Sequence, residues 1–184
     1  MSSPSADVSV RVAWADDAPA IAALQARAWS TSYAGLVPAA GGLRAEDFAE
    51  MWRTALTRPP DARHRVLVAL ERNRVVGFAI TAPASDPDTD PVSDAELMEF
   101  TVDGDERGKG HGSRLLQAAI DTMAADRFTR AVSWLVADDD ALRSFLTDAG
   151  WAPDTAHRTL DLDGTGATQV KQVRLHTSFG TSVP

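Results

Sequence analysis

The chain has 184 residues, of which 44% are hydrophobic and 24% are charged, and its formal net charge is −8. Length and composition are typical of one globular domain, and the acidic charge argues against a nucleic-acid partner because phosphate binding needs a basic surface. No apolar run reaches the ~20 residues of a membrane span, and the lack of cysteine excludes disulfides, thiolate metal sites and a cysteine nucleophile.

The first seven residues have neither the basic region nor the apolar run of a secretory signal. We therefore expect a cytoplasmic protein. Residues 1–7 and 177–184 are predicted to be flexible tails of a single domain, whose core runs from about 8 to 176.

The first third of the chain predicts one strand and two helices. Alternating β-branched residues predict a strand over Val8–Trp14. Asp16 and Asp17 are candidate caps for a helix that runs to about Trp29, and a second helix is expected over Ala45–Leu56. Prolines and glycines between the two helices predict a break in the chain.

Three strands are predicted next. Val66–Leu70 and Val75–Ile80 are expected to form a hairpin in which Asn73 adopts a positive φ. Residues 81–94 carry three prolines and four aspartates and are predicted to be an irregular loop. The apolar run Ala95–Val102 then predicts the strand that leads into a glycine-rich turn.

That turn, Arg107–Gly112, is the most informative segment, because glycine occupies every second position. It is followed by an amphipathic run, Leu115–Met123, that predicts a helix. A strand, a glycine turn and a helix present free backbone N–H groups and the positive end of a helix dipole to an anion. Arg107 and Lys109 add positive charge at the rim. The segment therefore predicts a binding site for a pyrophosphate or a similar group.

Spacing excludes two common nucleotide motifs at this turn. A P-loop needs a glycine five residues before its Gly-Lys pair, and that position is Asp103 here. The dinucleotide fingerprint reads G-x-G-x-x-G after the first strand of a βαβ unit. This turn reads G-x-G-x-G and lies past the middle of the chain.

The last third predicts a buried strand, a helix and a terminal hairpin. Ala131–Val136 is the strand, and the helix begins at Asp139 or Asp140. Thr155–Leu162 and Gln169–His176 are expected to form the hairpin. The four histidines of the chain show no metal-ligand spacing, so we predict no bound metal.

The glycine turn resembles the acyl-CoA pyrophosphate loop of the GNAT superfamily of N-acetyltransferases, which reads Arg/Gln-x-x-Gly-x-Gly/Ala. Arg107, Gly110 and Gly112 match its three defining positions. The predicted order β-α-α-β-β-β-α-β-α-β-β is also that of the family, so the resemblance covers about 8–176. It implies an α/β (α+β) fold with a mixed, mostly antiparallel sheet of six to seven strands. About four helices would flank the sheet, which would be splayed between strands four and five.

The resemblance also implies that acetyl-CoA is the co-substrate. Backbone groups at the end of the fourth strand would bind its pantetheine arm, and N–H groups of the glycine turn would bind its phosphates. Asp139 stands at the position where the family pattern commonly has an asparagine. The residues implied in binding are Phe100, Thr101, Val102, Arg107, Gly108, Lys109, Gly110, His111, Gly112, Ser113 and Asp139.

Two glutamates are candidates for the general base, which the family often places on the fourth strand. Glu96 lies eleven residues before Arg107, a position that resembles the one used by histone-acetylating members. Glu99 lies nearer the expected thioester. The two face opposite sides of the strand, and burial would raise the pKa of either carboxyl toward that of a useful base. The choice between them stays open.

The general acid is where the sequence departs from the family pattern. Leu146 stands where a tyrosine is usual, and leucine cannot donate a proton. Three alternatives follow: Ser144 or Tyr33 substitutes, the thiolate leaves unprotonated, or the protein binds acyl-CoA without catalysis.

We therefore predict an acetyl-CoA-dependent N-acetyltransferase that acts on a small amine or an N-terminal amine. Direct attack in a ternary complex is favoured over an acyl-enzyme because the chain has no cysteine. The alternatives are an inactive acyl-CoA-binding or regulatory module and a structural subunit of a larger assembly. Sheet edges could pair two copies in a homodimer, and no nucleic-acid or membrane partner is expected.

Overall fold

The computed structural model describes residues 7–33 and 44–179. Most residues of the two predicted tails, 1–6 and 180–184, lie outside these ranges. No helix in the described ranges is long and apolar enough to cross a bilayer.

Within the described residues the chain forms four α-helices and seven strands. Two short 3-10 turns, at Ala15–Asp17 and Gly104–Glu106, precede the first and third helices. The helices are α1 Ala18–Ser32, α2 Ala45–Thr57, α3 His111–Ala125 and α4 Asp140–Asp148. The strands are β1 Val8–Val12, β2 Arg65–Glu71, β3 Arg74–Pro83, β4 Asp94–Val102, β5 Arg130–Val136, β6 Ala152–Asp161 and β7 Gln169–Ser178.

The strands follow the order β1-β2-β3-β4-β5-β7-β6, in which non-consecutive neighbours mark a crossover. β4 pairs with β5 in parallel, whereas β1–β2, β2–β3, β5–β7 and β6–β7 are antiparallel. The parallel register joins Asp94–Glu96 to Arg130–Val132 and is not continued into the second half of β4. The predicted mixed, mostly antiparallel sheet with four helices is thus confirmed.

Spatial contacts between residues divide the chain into two compact units. The first unit comprises Met1–Thr81 and Glu99–Thr122, and the second comprises Ala82–Met98 and Met123–Pro184. The prediction of a single domain stays a prediction.

The core of the first unit is built from α1, α2 and the strands beneath them. Ile21 and Leu24 lie on the buried face of α1 and are at most 1% exposed. The Trp52 ring of α2 packs edge-on against Phe78, with centroids 5.3 Å apart. Its indole N–H donates to Gln25 at 2.8 Å, so the buried polar groups of the two helices satisfy each other.

The start of α1 corrects one detail of the sequence prediction. Asp17 occupies the cap position, but its side chain does not bond to the helix. The carboxylate accepts the N–H of Trp14 at 2.7 Å and pairs with Arg11 at 2.7 Å. The reason is the 3-10 turn before α1, which places the free donors upstream of Asp17.

A buried arginine organises the second unit. Arg174 of β7 is 4% exposed and donates to Asp86 at 3.0 Å, to Asp88 at 2.8 Å and to Asp154 at 2.7 Å. Its guanidinium lowers the pKa of Asp88 to about 2. Asp86 also accepts the indole N–H of Trp134 at 2.9 Å. The aspartates of the predicted irregular loop therefore hold that loop on β5 and β7.

We expect Arg174→Met to lower the free energy of unfolding by roughly 3–5 kcal/mol, because it deprives the partly buried carboxylates of Asp86 and Asp154 of their nearest counter-charge. Arg158→Met is the matched control. Arg158 contacts the same Trp134 ring, at 4.3 Å, but its side chain is 38% exposed and its distance to Asp86 is 4.0 Å. Its loss should therefore cost about 1 kcal/mol. Urea unfolding of both variants measures the difference, and equal losses would contradict a special role for Arg174.

Candidate functional site

The predicted anion loop lies in the first unit, between β4 and α3. Gly108 and Gly110 have φ angles of +76° and +83°, in the left-handed region that disfavours any residue with a side chain. A Cβ on Gly110 would meet a guanidinium nitrogen of Arg114 at 2.9 Å, but that group can move aside. The backbone angle is therefore what requires glycine at this position.

This backbone path delivers the chain into the first turn of α3, which begins at His111. The N–H groups in the first turn of a helix have no partner within the helix, and the helix dipole adds a partial positive charge there. His111, Gly112 and Ser113 supply these groups. The loop can accordingly bind an anion with backbone groups alone.

The side chain of Lys109 is paired with a residue of the turn just before the loop. Its ammonium lies 2.6 Å from Glu106, whose other oxygen lies 2.5 Å from Arg74. The Glu106 side chain is 9% exposed, and hydrogen bonds from the two cations hold its pKa at about 2. The positive charge expected from Lys109 at the rim is thus balanced by the Glu106 carboxylate. An anion at this loop would therefore be bound mainly by backbone N–H groups.

The end of β4 is held against β3 and α1. A Cβ on Gly77 would stand 2.9 Å from the carbonyl oxygen of Thr101, so glycine is what allows the two strands this approach. The N–H of Asp103 donates to the Val76 carbonyl at 2.8 Å. The Asp103 carboxylate pairs with Arg27 of α1 at 2.8 Å. These contacts fix the backbone of the predicted pantetheine segment, Phe100–Val102.

Glu99 lies on β4 beside an aromatic pair from the end of α1. The hydroxyl of Thr101 donates to its carboxylate at 3.2 Å, and the Trp29 side chain donates a second hydrogen bond. Burial raises the pKa of Glu99, and these two donors oppose that rise. The Trp29 ring packs edge-on against Tyr33, with centroids 5.8 Å apart. Two of the predicted site residues, Glu99 and Tyr33, thus interact with the same Trp29 side chain.

Glu96 has different surroundings, in the second unit. Its side chain is buried, and burial together with the nearby Asp86 carboxylate raises its pKa. The charges of Arg158 and Arg174 oppose that rise. Both candidate bases therefore have a raised pKa, but Glu96 lies among ionised groups and Glu99 lies among neutral donors.

Three further predicted residues lie at α4. The carboxylate of Asp139 caps this helix by accepting the N–H of Leu142 at 3.0 Å. Leu146 is fully buried, so the position expected for an acid is part of the core, and Ser144 on the same helix is exposed. The roles of Asp139 and Ser144 stay predictions.

Sequence reasoning missed the partners that surround these residues. Trp29 is predicted from the sequence only as the end of a helix, and no site role is predicted for Arg74, Glu71 or Glu106. They reach the site through contacts across the fold, for which neither periodicity nor spacing provides a signal.

The sequence of the chain matches a known family. Residues 23–151, more than half of the chain, match the family model described as "Acetyltransferase (GNAT) family". No curated protein sequence matches the chain.

Solved structures provide the second comparison. An N-acetyltransferase from Staphylococcus aureus Mu50 matches with a TM-score of 0.71 at 20% identity, over 93% of this chain and 98% of that one. The structure of yncA from Salmonella typhimurium with its cofactor acetyl-CoA matches with a TM-score of 0.68 at 15% identity, over 97% of each chain. PaiA N-acetyltransferase from Thermoplasma acidophilum, in complex with coenzyme A, matches with a TM-score of 0.64 at 14% identity, over 97% of this chain and 100% of that one. At these identities the likeness concerns the fold.

Proposed function

The chain belongs to the acetyltransferase (GNAT) family, and we propose that it transfers an acetyl group from acetyl-CoA to the nitrogen of an amine. The acceptor is a small amine or an N-terminal amine. The observation that carries the proposal is the loop before α3, where two glycines with positive φ lead into the first turn of a helix, whose N–H groups have no partner within the helix. The predicted cytoplasmic location and homodimer stay predictions.

The loop residues and the end of β4 provide the binding groups in this proposal. Backbone N–H groups from Gly108 to Ser113 take the phosphates, and backbone groups of Phe100–Val102 take the pantetheine arm. The yncA structure contains acetyl-CoA and the PaiA structure contains coenzyme A, which supports this class of ligand. Arg107 adds charge at the rim, while Lys109 is held by Glu106.

Glu99 is the general base in this proposal. Its carboxylate is partly buried, its pKa is raised by burial, and it belongs to the same unit as the loop. A carboxylate in this state takes a proton from the acceptor amine, as its nitrogen attacks the thioester and the thiolate leaves, more readily than an exposed one. Hydrogen bonds from Thr101 and Trp29 leave further lone pairs on the carboxylate for that proton. Glu96 is the alternative base.

The departing thiolate leaves without a protein acid in this mechanism. Leu146 is buried and cannot donate a proton, which supports this choice. Tyr33 and Ser144 are the two side chains that remain to be tested as acids. An acidic thiol needs less help from a general acid than an alcohol does, because the thiolate is the more stable anion.

A direct assay tests the function. The full chain is incubated with acetyl-CoA and a panel of primary amines and peptides with free N-termini, and free thiol and product mass are followed. We expect thiol release that depends on one class of amine. Tight CoA binding without such release, over the whole panel, would replace the enzyme by an acyl-CoA-binding module. The buried Leu146 is the observation that favours this second candidate.

A further inference from the structure

Three side chains near the start of α3 form a cluster that we call the His111 cluster: Glu71 of β2, Glu106 of the turn before the glycines, and His111. In the described part of the chain, one ligand atom from each of the three lies within 4.8 Å of the other two. The Nε2 atom of His111 is 3.6 Å from a carboxylate oxygen of Glu71. The cluster belongs wholly to the first unit.

One atom of the cluster lacks a partner. His111 is 3% exposed, and its Nε2 is buried without a hydrogen-bond partner among the described residues. A buried ring nitrogen needs either an acceptor for its proton or a donor for its lone pair, whichever tautomer is present. The nearest carboxylate oxygen is slightly too far away to serve as an acceptor. This nitrogen is therefore available to bind a ligand at the cluster.

The donor set and its spacing suit a metal ion. One imidazole nitrogen and two carboxylate oxygens are ligands that zinc takes in proteins, at about 2.0–2.2 Å each. Two such ligands at a tetrahedral angle lie about 3.4 Å apart. The separation of 3.6 Å between His111 and Glu71 is close to that value. We propose that Glu71, Glu106 and His111 bind a divalent transition-metal ion of the zinc type.

Two cations compete with the metal for the same carboxylates. Lys109 and Arg74 both pair with Glu106, and Arg74 also lies 3.6 Å from Glu71. Their two charges balance the two carboxylates, so the metal must displace one of them. Lys109 is the weaker obstacle, since it is a single flexible side chain that is 52% exposed. Metal binding and the Lys109–Glu106 pair therefore oppose each other.

The test measures metal binding by the full chain without acetyl-CoA, so its outcome is independent of the proposed transferase activity. Zn²⁺ is titrated in competition with a chromogenic chelator, and Co²⁺ is added as an absorbance probe of coordination geometry. We expect one ion per chain, a visible Co²⁺ spectrum of tetrahedral intensity and an upward shift of the melting temperature, because the ion binds the folded state.

Variants distinguish this site from binding elsewhere. Glu71→Gln and His111→Leu should each weaken Zn²⁺ binding by more than about tenfold, since even outer-shell partners of a metal are worth about 10–100-fold. His111→Leu fills the buried position with an apolar side chain of similar size, and Glu71 is only partly buried. We therefore expect at least one of the two variants to fold and to test the site. His157→Ala, at an exposed histidine, should leave the affinity unchanged.

Lys109→Met provides a test of opposite sign. Removing the competing ammonium should strengthen Zn²⁺ binding several-fold, an effect that general damage to the loop would not produce. The proposal is overturned if wild-type protein binds no Zn²⁺ at micromolar concentrations. It is overturned equally if the affinity is unchanged in the folded Glu71→Gln and His111→Leu variants, or if Lys109→Met weakens it.

Discussion

Gly110→Glu is expected to weaken binding of coenzyme A by more than about 100-fold. Gly110 has a φ of +83°, and a residue with a Cβ loses roughly 1–2 kcal/mol in that conformation, which is about tenfold in affinity if the loop must hold it. A carboxylate placed at the site of an anion adds like-charge repulsion of several kcal/mol. Isothermal titration with coenzyme A at fixed ionic strength measures the loss.

Two control variants separate strain from charge. Gly104→Glu introduces the same charge in the preceding turn, where no atom lies within 4 Å of the new Cβ and φ is outside the left-handed region. It should change the affinity only a few-fold. Gly110→Ala keeps the strain without the charge and should weaken binding about tenfold. Unchanged affinity in Gly110→Glu would refute the assignment of this loop to the phosphates.

Glu99→Gln is expected to lower the rate constant of acetyl transfer by about 10²–10⁴-fold, the usual contribution of a positioned base. The amide oxygen of glutamine can still accept from Thr101 and Trp29, so the local fold should be retained. Affinity for coenzyme A should be unchanged, because the phosphate loop is not altered. Single-turnover kinetics with saturating acetyl-CoA and the amine identified in the panel measures the rate constant.

The pH profile provides an independent readout of this base. Glu99 acts only when ionised, so the rate should rise with pH until its carboxyl is deprotonated. Because burial raises the pKa of Glu99, this rise should extend to higher pH than for an exposed glutamate. In Glu99→Gln the rise should disappear, and the remaining pH dependence should be that of the amine.

Glu96→Gln is the comparison that could reassign the role. Glu96 lies among Asp86, Arg158 and Arg174, and its replacement should alter that charge network with a smaller effect on the rate constant. If Glu96→Gln shows the large loss and Glu99→Gln does not, Glu96 is the base. If neither variant loses at least about tenfold, neither glutamate is a general base.

The sequence predicted the elements of the fold and their order nearly throughout. The helix expected at Asp139 or Asp140 begins at Asp140, and Asp139 caps it. Asn73 has a φ of +65° in the hairpin where a positive value was predicted. Gly108 and Gly110 have positive φ angles in the turn whose glycines the sequence singled out. These features depend on residues a few positions apart, so local periodicity and turn chemistry are sufficient to predict them.

The tertiary structure alone decided which charged residues meet. Arg174 binds Asp86 and Asp88 across 88 and 86 positions of sequence, and Arg74 binds Glu106 across 32. His111 and Glu71 also approach each other only in the folded chain, because no spacing in the sequence predicts their contact. An ion pair needs only two groups of opposite charge within a few ångströms, so many pairings satisfy the sequence equally well.

The sequence by itself therefore determined the strands, the helices and the glycine-rich turn before α3, because backbone conformation responds to neighbours along the chain. Only the tertiary structure decided that Lys109 is paired, that Glu99 lies beside Trp29, and that His111 is buried next to two carboxylates. Packing of distant segments fixes these environments, and the environment sets the pKa of a carboxyl and the availability of a ligand atom.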